Sequence, residues 1–449
     1  MNGVPSTPEG GPDIPRIAVD RLIDHGHWSG YQKRVLAICT AAVLLDGLDN
    51  QILGFAMPAL MAEWHLPRES FVPVVVGGLL IMSLGSGLGG WLGDRAGRRP
   101  TLISAVGVFG LTTATSILAD NLPMLAFCRF ISTLALGAAL PNATALVSEF
   151  SPANRRNLAV SITMMSVVLG GLVGGALSAW LLPTYGWRVL FGSAGVLTLV
   201  VTAAMSALLP ESPRFLVHRP HRRRELDRML RASGFDLPPR YALELPTALA
   251  VVGGGRSLFR PPLLVDTLAL SAAFLFGLLG NYLVFNWGPT MLAAIGYDLA
   301  VSSLGLGAFN LGGIVGALIG ALLMDRIGPR VPILVMAGAG TVCAFWAGQL
   351  LSGGLHPTAL VVAGFAATGV FMSGLQVMLF SLAVSAFPAS IRAQGIGVSL
   401  SIGRIGAVAG SGLGAMIVAA GIGSFFAVVG CSCFAIGLAV LAIRAKAGR

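Results

Sequence analysis

Twelve apolar runs, each of 18 residues or more, follow one another along the chain at 35–59, 72–92, 102–119, 122–147, 158–182, 189–209, 263–287, 303–324, 331–351, 360–386, 395–419 and 424–443. A run of about 20 apolar residues crosses a bilayer core of roughly 30 Å as helix. Hydrocarbon offers the peptide groups no water, so each run must satisfy its N–H and C=O groups internally, which a helix does. The expected fold class is therefore all-α integral membrane, with twelve transmembrane helices. Composition agrees: only 11% of the 449 residues are charged and the mean hydropathy is +0.82, whereas soluble proteins carry about 25% charged residues. The first run lies behind a polar stretch of over 30 residues and leads into no small-residue cleavage site, which reads as a retained helix.

The formal net charge of +10 is a matter of topology. With a cytoplasmic N-terminus, 25 of the 29 Lys and Arg fall on the cytoplasmic side; Arg68 and Arg188 lie outside, and Arg129 and Arg404 lie within spans. This asymmetry orients the chain with both termini in the cytoplasm, and it gives no reason to expect a nucleic-acid partner. Cys39, Cys128, Cys343, Cys431 and Cys433 all fall inside spans without metal-ligand spacing, so no metal, cofactor or disulfide framework is expected.

The division that follows is a cytoplasmic tail at 1–34, a six-helix bundle at 35–209, a cytoplasmic linker at 210–262, a second six-helix bundle at 263–443 and a short cytoplasmic tail at 444–449. The first 30 or so residues are rich in Pro and Gly and read as disordered. The linker is basic, densest at His221-Arg222-Arg223-Arg224, and reads as short interfacial helices. The two bundles echo each other. Gly90-Trp91-Leu92-Gly93-Asp94-Arg95-Ala96-Gly97-Arg98-Arg99 follows the second run, and Asp325-Arg326-Ile327-Gly328-Pro329-Arg330 follows the eighth; Ser148-Glu149-Phe150-Ser151-Pro152 pairs with Ser385-Ala386-Phe387-Pro388, each followed by an arginine, Arg155 or Arg392. Both echoes lie near an offset of 235 residues, giving two six-helix repeats with a substrate site between them near the midplane. Glycines at four-residue spacing, Gly312/Gly316/Gly320 and Gly406/Gly410/Gly414 among them, predict close helix packing.

The Asp94 loop resembles the signature loop of the major facilitator superfamily, through Gly90, Leu92, Asp94, Arg95, Gly97, Arg98 and Arg99. Within that superfamily the chain is similar to the aromatic acid/proton symporters, through Asp46-Gly47-Leu48-Asp49, Arg129-Phe130, Pro141-Asn142, Ser148-Glu149, Phe387-Pro388, Arg392 and Gly403-Arg404-Ile405-Gly406. It departs from that pattern at Thr133, Ala135, Val398 and Ser411, positions that border the cavity. The resemblance implies a multi-pass transporter of a bacterial inner membrane, monomeric and not an enzyme, whose partners are a small organic anion, protons and the lipid bilayer. Gly90, Asp94, Arg95, Gly97, Arg98, Arg99, Glu149, Asp325, Arg326 and Arg392 would form its conformational latch.

Four charges lie deep in the spans: Asp46, Asp49, Arg129 and Arg404. Ionisable groups in a bilayer are costly and mark ion or substrate pathways. At 1.5 Å per residue, Asp46 and Arg404 both lie roughly 15 Å from the cytoplasmic edge, and Asp49 and Arg129 both about 10 Å from the outer edge. Two acids and two bases at matched depths predict two ion pairs. With no histidine in any span, the aspartates must carry any proton. A substrate carboxylate would compete for an arginine, whose planar fork fits it, and the displaced aspartate would take up a proton on desolvation. Asn281, Tyr282 and Asn286 on the seventh span and Gln376 on the tenth are candidate contacts for an aromatic ring and its hydroxyls. The alternatives are a carrier of a sugar or another organic anion, a drug exporter, and a non-transporting membrane sensor.

Overall fold

The computed structural model describes residues 16–238, 241–243, 263–354, 356–387 and 392–443. A short strand β1 (Arg16–Ile17) and helix α1 (Val19–His25) precede the long helices α2 (Gly30–Trp64), α3 (Val72–Ala96), α4 (Arg98–Thr115), α5 (Leu122–Phe150) and α6 (Ala153–Leu208). The connecting segment holds α7 (Pro213–Val217), α8 (Arg223–Ala232) and β2 (Ala242–Leu243). The second half comprises α9 (Leu263–Ala294), α10 (Leu299–Ile327), α11 (Arg330–Leu351), α12 (Thr358–Ala386), α13 (Arg392–Ala419) and α14 (Ile422–Ala442).

At 56 residues, α6 would be about 84 Å long if straight, far more than one bilayer crossing. It is broken at Gly186, whose φ of 77° and ψ of 177° reverse the chain just after Pro183. Its two arms are the fifth and sixth spans, so the eleven long helices make twelve crossings. Gly421, with φ 92°, makes the matching turn between α13 and α14. The repeat is legible elsewhere too: Pro58 lies inside α2 and Pro289 inside α9.

In lipid, close van der Waals contact rather than apolar burial holds helices together, and the glycines supply it. A methyl at Gly316 would lie 1.9 Å from the Val370 carbonyl oxygen of α12, and one at Gly406 1.9 Å from that of Leu275 on α9. The helices α2 to α6 pack as one half and α9 to α14 as the other, with α6 against α10, α2 against α9 and α3 against α13 joining them. These joints lie away from the arginine-rich end: Gly412 of α13 faces Val76 of α3, whereas Gly90 of α3 and Gly397 of α13, nearer that end, face open space. On the outer face of α3, Leu80, Leu84 and Leu88 recur every fourth residue and are each more than half exposed. Such a stripe would be an aggregation surface in water; lipid is its solvent.

One expectation needs correction. From Arg16 onward the N-terminal tail is ordered. β1 pairs in parallel with β2 of the linker, and Val19 and Ile23 of α1, one helical turn apart, are buried in a cluster with Leu216, Leu226, Met229 and Leu230 of the linker. Asp20 pairs with Arg214, and Asp24 with Arg156 at the start of α6. Pro and Gly richness ends before this amphipathic turn, and the apolar face it presents is enough to dock it.

Candidate transport site

The centre of the first half is an ion pair. Arg129 of α5 donates through Nη1 to Asp49 Oδ2 of α2 at 3.0 Å and to Oδ1 at 3.2 Å, and through Nη2 to the main-chain oxygen of Asp49 at 2.9 Å. Thr113 of α4 and Ser132 of α5 donate their hydroxyls to the same carboxylate at 2.6 and 3.0 Å. Both charged side chains are buried, so the hydrogen bonds must offset the desolvation of two ions, and removing one partner of such a pair typically costs about 3–5 kcal/mol. The guanidinium is not saturated: Arg129 Nε is buried without a partner, and the centre of the Phe191 ring lies 5.9 Å from Arg129 Cζ.

The second expected pair does not form. Asp46 Oδ1 is buried and has no hydrogen-bond partner, and no ion pair joins Asp46 to Arg404 among the described residues. Arg404 Nη2 instead donates to Ser86 Oγ of α3 at 3.1 Å, across the two halves. A depth counted along each helix says nothing of lateral position. The Asp46 helix, α2, packs on α6, α5 and α9, whereas α13, which carries Arg404, packs on α9 and α3.

Between the halves a cavity is lined by Asn50 and Leu53 of α2, Met82 of α3, Arg129 and Thr133 of α5, and Tyr282 and Asn286 of α9. Asn50 Nδ2 lies 3.5 Å from the Tyr282 hydroxyl. Asn286 donates to Ser411 Oγ at 2.8 Å, and Trp287 donates to the main-chain oxygen of Ser411 at 2.8 Å. Ser411 and Thr133, two departures from the expected sequence pattern, thus both bear on this cavity. Asn281 is engaged within its own half, donating to the Gly277 carbonyl and accepting from Ser373 Oγ at 2.7 Å. Gln376 keeps both amide atoms buried and unpartnered.

At the arginine-rich end, α3 ends at Gly97, whose φ of 109° turns the chain into α4. Arg98 donates to Asp94 Oδ1 at 2.5 Å and to Asn142 Oδ1 at 3.4 Å, and lies 3.9 Å from Glu149. Ser212 donates to Glu149, and Glu211 accepts from the Arg99 main-chain N–H at 3.0 Å. Arg95 is exposed over the Trp91 ring. Arg99 donates to the Ser206 and Leu209 carbonyls, both at 2.6 Å, and Arg330 to that of Leu441 at 2.7 Å. In each half an arginine thereby binds the exposed carbonyls ending the last helix, where a cation is favoured. Arg326 is exposed; the side chains of Asp325 and Arg392 lie outside the described residues.

The family model described as Major Facilitator Superfamily matches residues 39–353. The chain belongs to this superfamily. It is a transporter rather than an enzyme, and its curated relatives agree. It is 36% identical to the gallate transporter of Pseudomonas putida, covering 96% of this chain and 95% of that one. It is 33% identical to the 4-hydroxybenzoate transporter PcaK of Pseudomonas aeruginosa, covering 91% of each. Among solved structures it resembles a D-xylose-proton symporter with a TM-score of 0.71 at 16% identity, covering 93% of this chain and 100% of that one, a likeness of fold.

Sequence reasoning overlooked several polar residues of this transporter. Thr113 and Ser132 complete the Asp49 shell, and Gln51 of α2 and Asn310 of α10 bond reciprocally across the halves. A signal was available for one of them, since Gln51 follows Asp49-Asn50 directly. A single serine or threonine in an apolar helix carries no such signal, because its hydroxyl usually bonds back to its own helix.

Proposed function

We propose that this transporter carries a small aromatic carboxylate of the hydroxybenzoate type into the cell together with a proton, by alternating access between its two halves. The observation that carries the reading is the Asp49–Arg129 pair, the one ion pair among the described residues with both side chains buried, set at the wall of a cavity whose far side is aromatic and amide. The gallate and 4-hydroxybenzoate relatives support the substrate class.

Arg404 takes the substrate carboxylate. It stands between the halves, and its bond to a neutral hydroxyl leaves its charge available to an anion. Arg129, with its unpartnered Nε, is the next candidate. Tyr282, Asn286 and Gln376 face the ring and its hydroxyls, with Asn281 supporting them through Ser373. Asp46 and Asp49 carry the proton. A carboxylate arriving in the cavity competes for Arg129 and weakens its hold on Asp49, and a buried aspartate that loses its cation is favoured as the neutral acid. Anion and proton then enter together, because carriers loaded with only one of them would move a net charge through a low-dielectric region. On this reading the arginine-rich end lies in the cytoplasm of a bacterium, the carrier works as a monomer, and the joints away from that end support an inward-facing conformation.

Uptake by proteoliposomes under an imposed pH gradient, acid outside, tests the reading with hydroxybenzoates, phenylpropionates, dicarboxylates and sugars as substrates. Gradient-driven accumulation of a hydroxybenzoate is expected. Accumulation of a sugar alone, or aromatic uptake that ignores the gradient, would refute it.

A further inference from the structure

We infer that the amide pair of Gln51 and Asn310 is the clasp that closes the cavity at the end opposite the arginines, and that the Asp49–Arg129 pair holds this clasp in register through α2. The inference rests on the alternating-access reading above and goes beyond it in naming the contact that must break.

Gln51 Nε2 donates to Asn310 Oδ1 at 3.2 Å, and Asn310 Nδ2 donates to Gln51 Oε1 at 2.8 Å and to its own helix at Leu306. Both residues are fully buried, at 1% and 0% exposure. Among the described residues this is the one reciprocal side-chain bond between the halves. In a dry seam two amides can satisfy each other, but apart they are left unpaired until water enters. That gives the contact two states, closed and wet, rather than a gradual slide.

The seam is shaped around the pair. A methyl at Gly171 of α6 would lie 2.3 Å from Gln51 Nε2 and 2.7 Å from Asn310 Oδ1, and one at Gly175 would lie 2.6 Å from the Gly307 Cα of α10. Only bare backbone lets α6 back the clasp and α10 seal against it one turn further out.

Three successive residues of α2 reach three different walls. Asp49 holds Arg129 of its own half, Asn50 reaches Tyr282, and Gln51 reaches Asn310. Arg129 grips not only the Asp49 carboxylate but also its main-chain oxygen, at 2.9 Å, so the guanidinium fixes the backbone two residues from the clasp. Just beyond, Pro58 cannot donate to the Gly54 carbonyl, which gives the outer part of α2 a point at which to bend. A change at the Asp49 pair therefore reaches the clasp within a single helical turn.

Ser303 of α10 provides the reporter. It lies fully buried in the same seam, and its hydroxyl has no partner, so Ser303→Cys sacrifices no hydrogen bond. In a variant with the five native cysteines replaced, a membrane-impermeant maleimide applied from the side opposite the arginines reads opening of the seam, without substrate. Gln51→Met and Asn310→Leu, each close to isosteric, are expected to raise the labelling rate about three- to tenfold, the scale of a net amide hydrogen bond. The double variant is expected to label no faster than the faster single, the signature of a shared contact. The exchanged pair, Gln51→Asn with Asn310→Gln, should label closer to the parent than either single. Asp49→Asn should raise labelling when the clasp is intact and by a smaller factor in Gln51→Met. Unchanged labelling in both singles overturns the clasp, and so does an exchanged pair that labels as fast as they do. If the singles fail to fold, the exchanged pair is compared with the parent, and labelling about threefold or more faster than the parent overturns the clasp. An equal effect of Asp49→Asn in both backgrounds overturns the link to Arg129. Because no substrate is involved, these outcomes are independent of the uptake panel, which tests the substrate reading.

Discussion

Asp49 and Arg404 are both charges in a membrane, but their surroundings give them different tasks. Asp49 accepts from Arg129, Thr113 and Ser132, so its carboxylate is committed to three donors. Asp49→Asn keeps an acceptor for those donors while removing the titrating group. It should abolish accumulation driven by a pH gradient yet retain substrate exchange between the two sides at equal pH. Wild-type uphill uptake by this variant would remove Asp49 from the coupling step. Among the described residues Arg404 has only Ser86 as a hydrogen-bond partner, so its fork is open to a carboxylate. Lysine supplies the charge without the planar pair of donors. Arg404→Lys should weaken equilibrium binding roughly tenfold and Arg404→Ala about a hundredfold, the range of charge-assisted hydrogen bonds. Calorimetric titration with unchanged affinity in both would move the carboxylate site to Arg129.

At the scale of elements, the arginine-rich end is built by docking rather than by crossing the membrane. α8 buries Leu226, Met229 and Leu230 against the cluster that also takes Val19 and Ile23 of α1, and β1 pairs with β2 beside it. Exposed arginines on the outer side of α8, Arg224, Arg228 and Arg231, are natural trypsin sites once the helix loosens. Burying a side chain such as isoleucine contributes about 1.5–3 kcal/mol, and local opening governs proteolysis in folded proteins. Ile23→Asp should therefore speed tryptic cleavage within α8 by about tenfold or more while leaving the long helices intact. Equal cleavage rates would mean that α1 does not hold the linker. The mixed outcome of the sequence reading lies at this scale as well. The amphipathic spacing of Val19 and Ile23 was readable, but a Pro- and Gly-rich composition averaged over the whole tail concealed it.

The whole molecule is two repeats that meet at the end opposite their arginines, where α6 packs on α10 and α2 on α9. The cluster of Asp94, Arg98 and Glu149 joins elements of one half only, and Asp94 is 71% exposed. In this conformation such a pair contributes little, about 0–1 kcal/mol. Under the alternating-access proposal, its influence on transport comes from the other conformation, in which the arginine-rich ends close, because only a difference between states shifts an equilibrium. Asp94→Asn should slow transport strongly while keeping substrate binding within about tenfold of wild type. A cysteine at Gly397, which faces open space here, should label faster from the cytoplasmic side. Collapse of binding without a change in labelling would instead assign the loop to the substrate site. The sequence by itself determined what depends on composition and period: twelve crossings, the repeat, the Asp94 loop and the four charges in the spans, because hydrocarbon leaves a backbone few choices. It also gave an expected depth for each charge, since helical rise is constant. Which charges meet was decided only by tertiary structure. Asp49 and Arg129 pair because α2 packs on α5, whereas Asp46 and Arg404 do not, despite the equal depth expected of them. The Gln51–Asn310 contact was likewise hidden, because it depends on which helix faces come together across the seam, and neither hydropathy nor spacing along one chain records that.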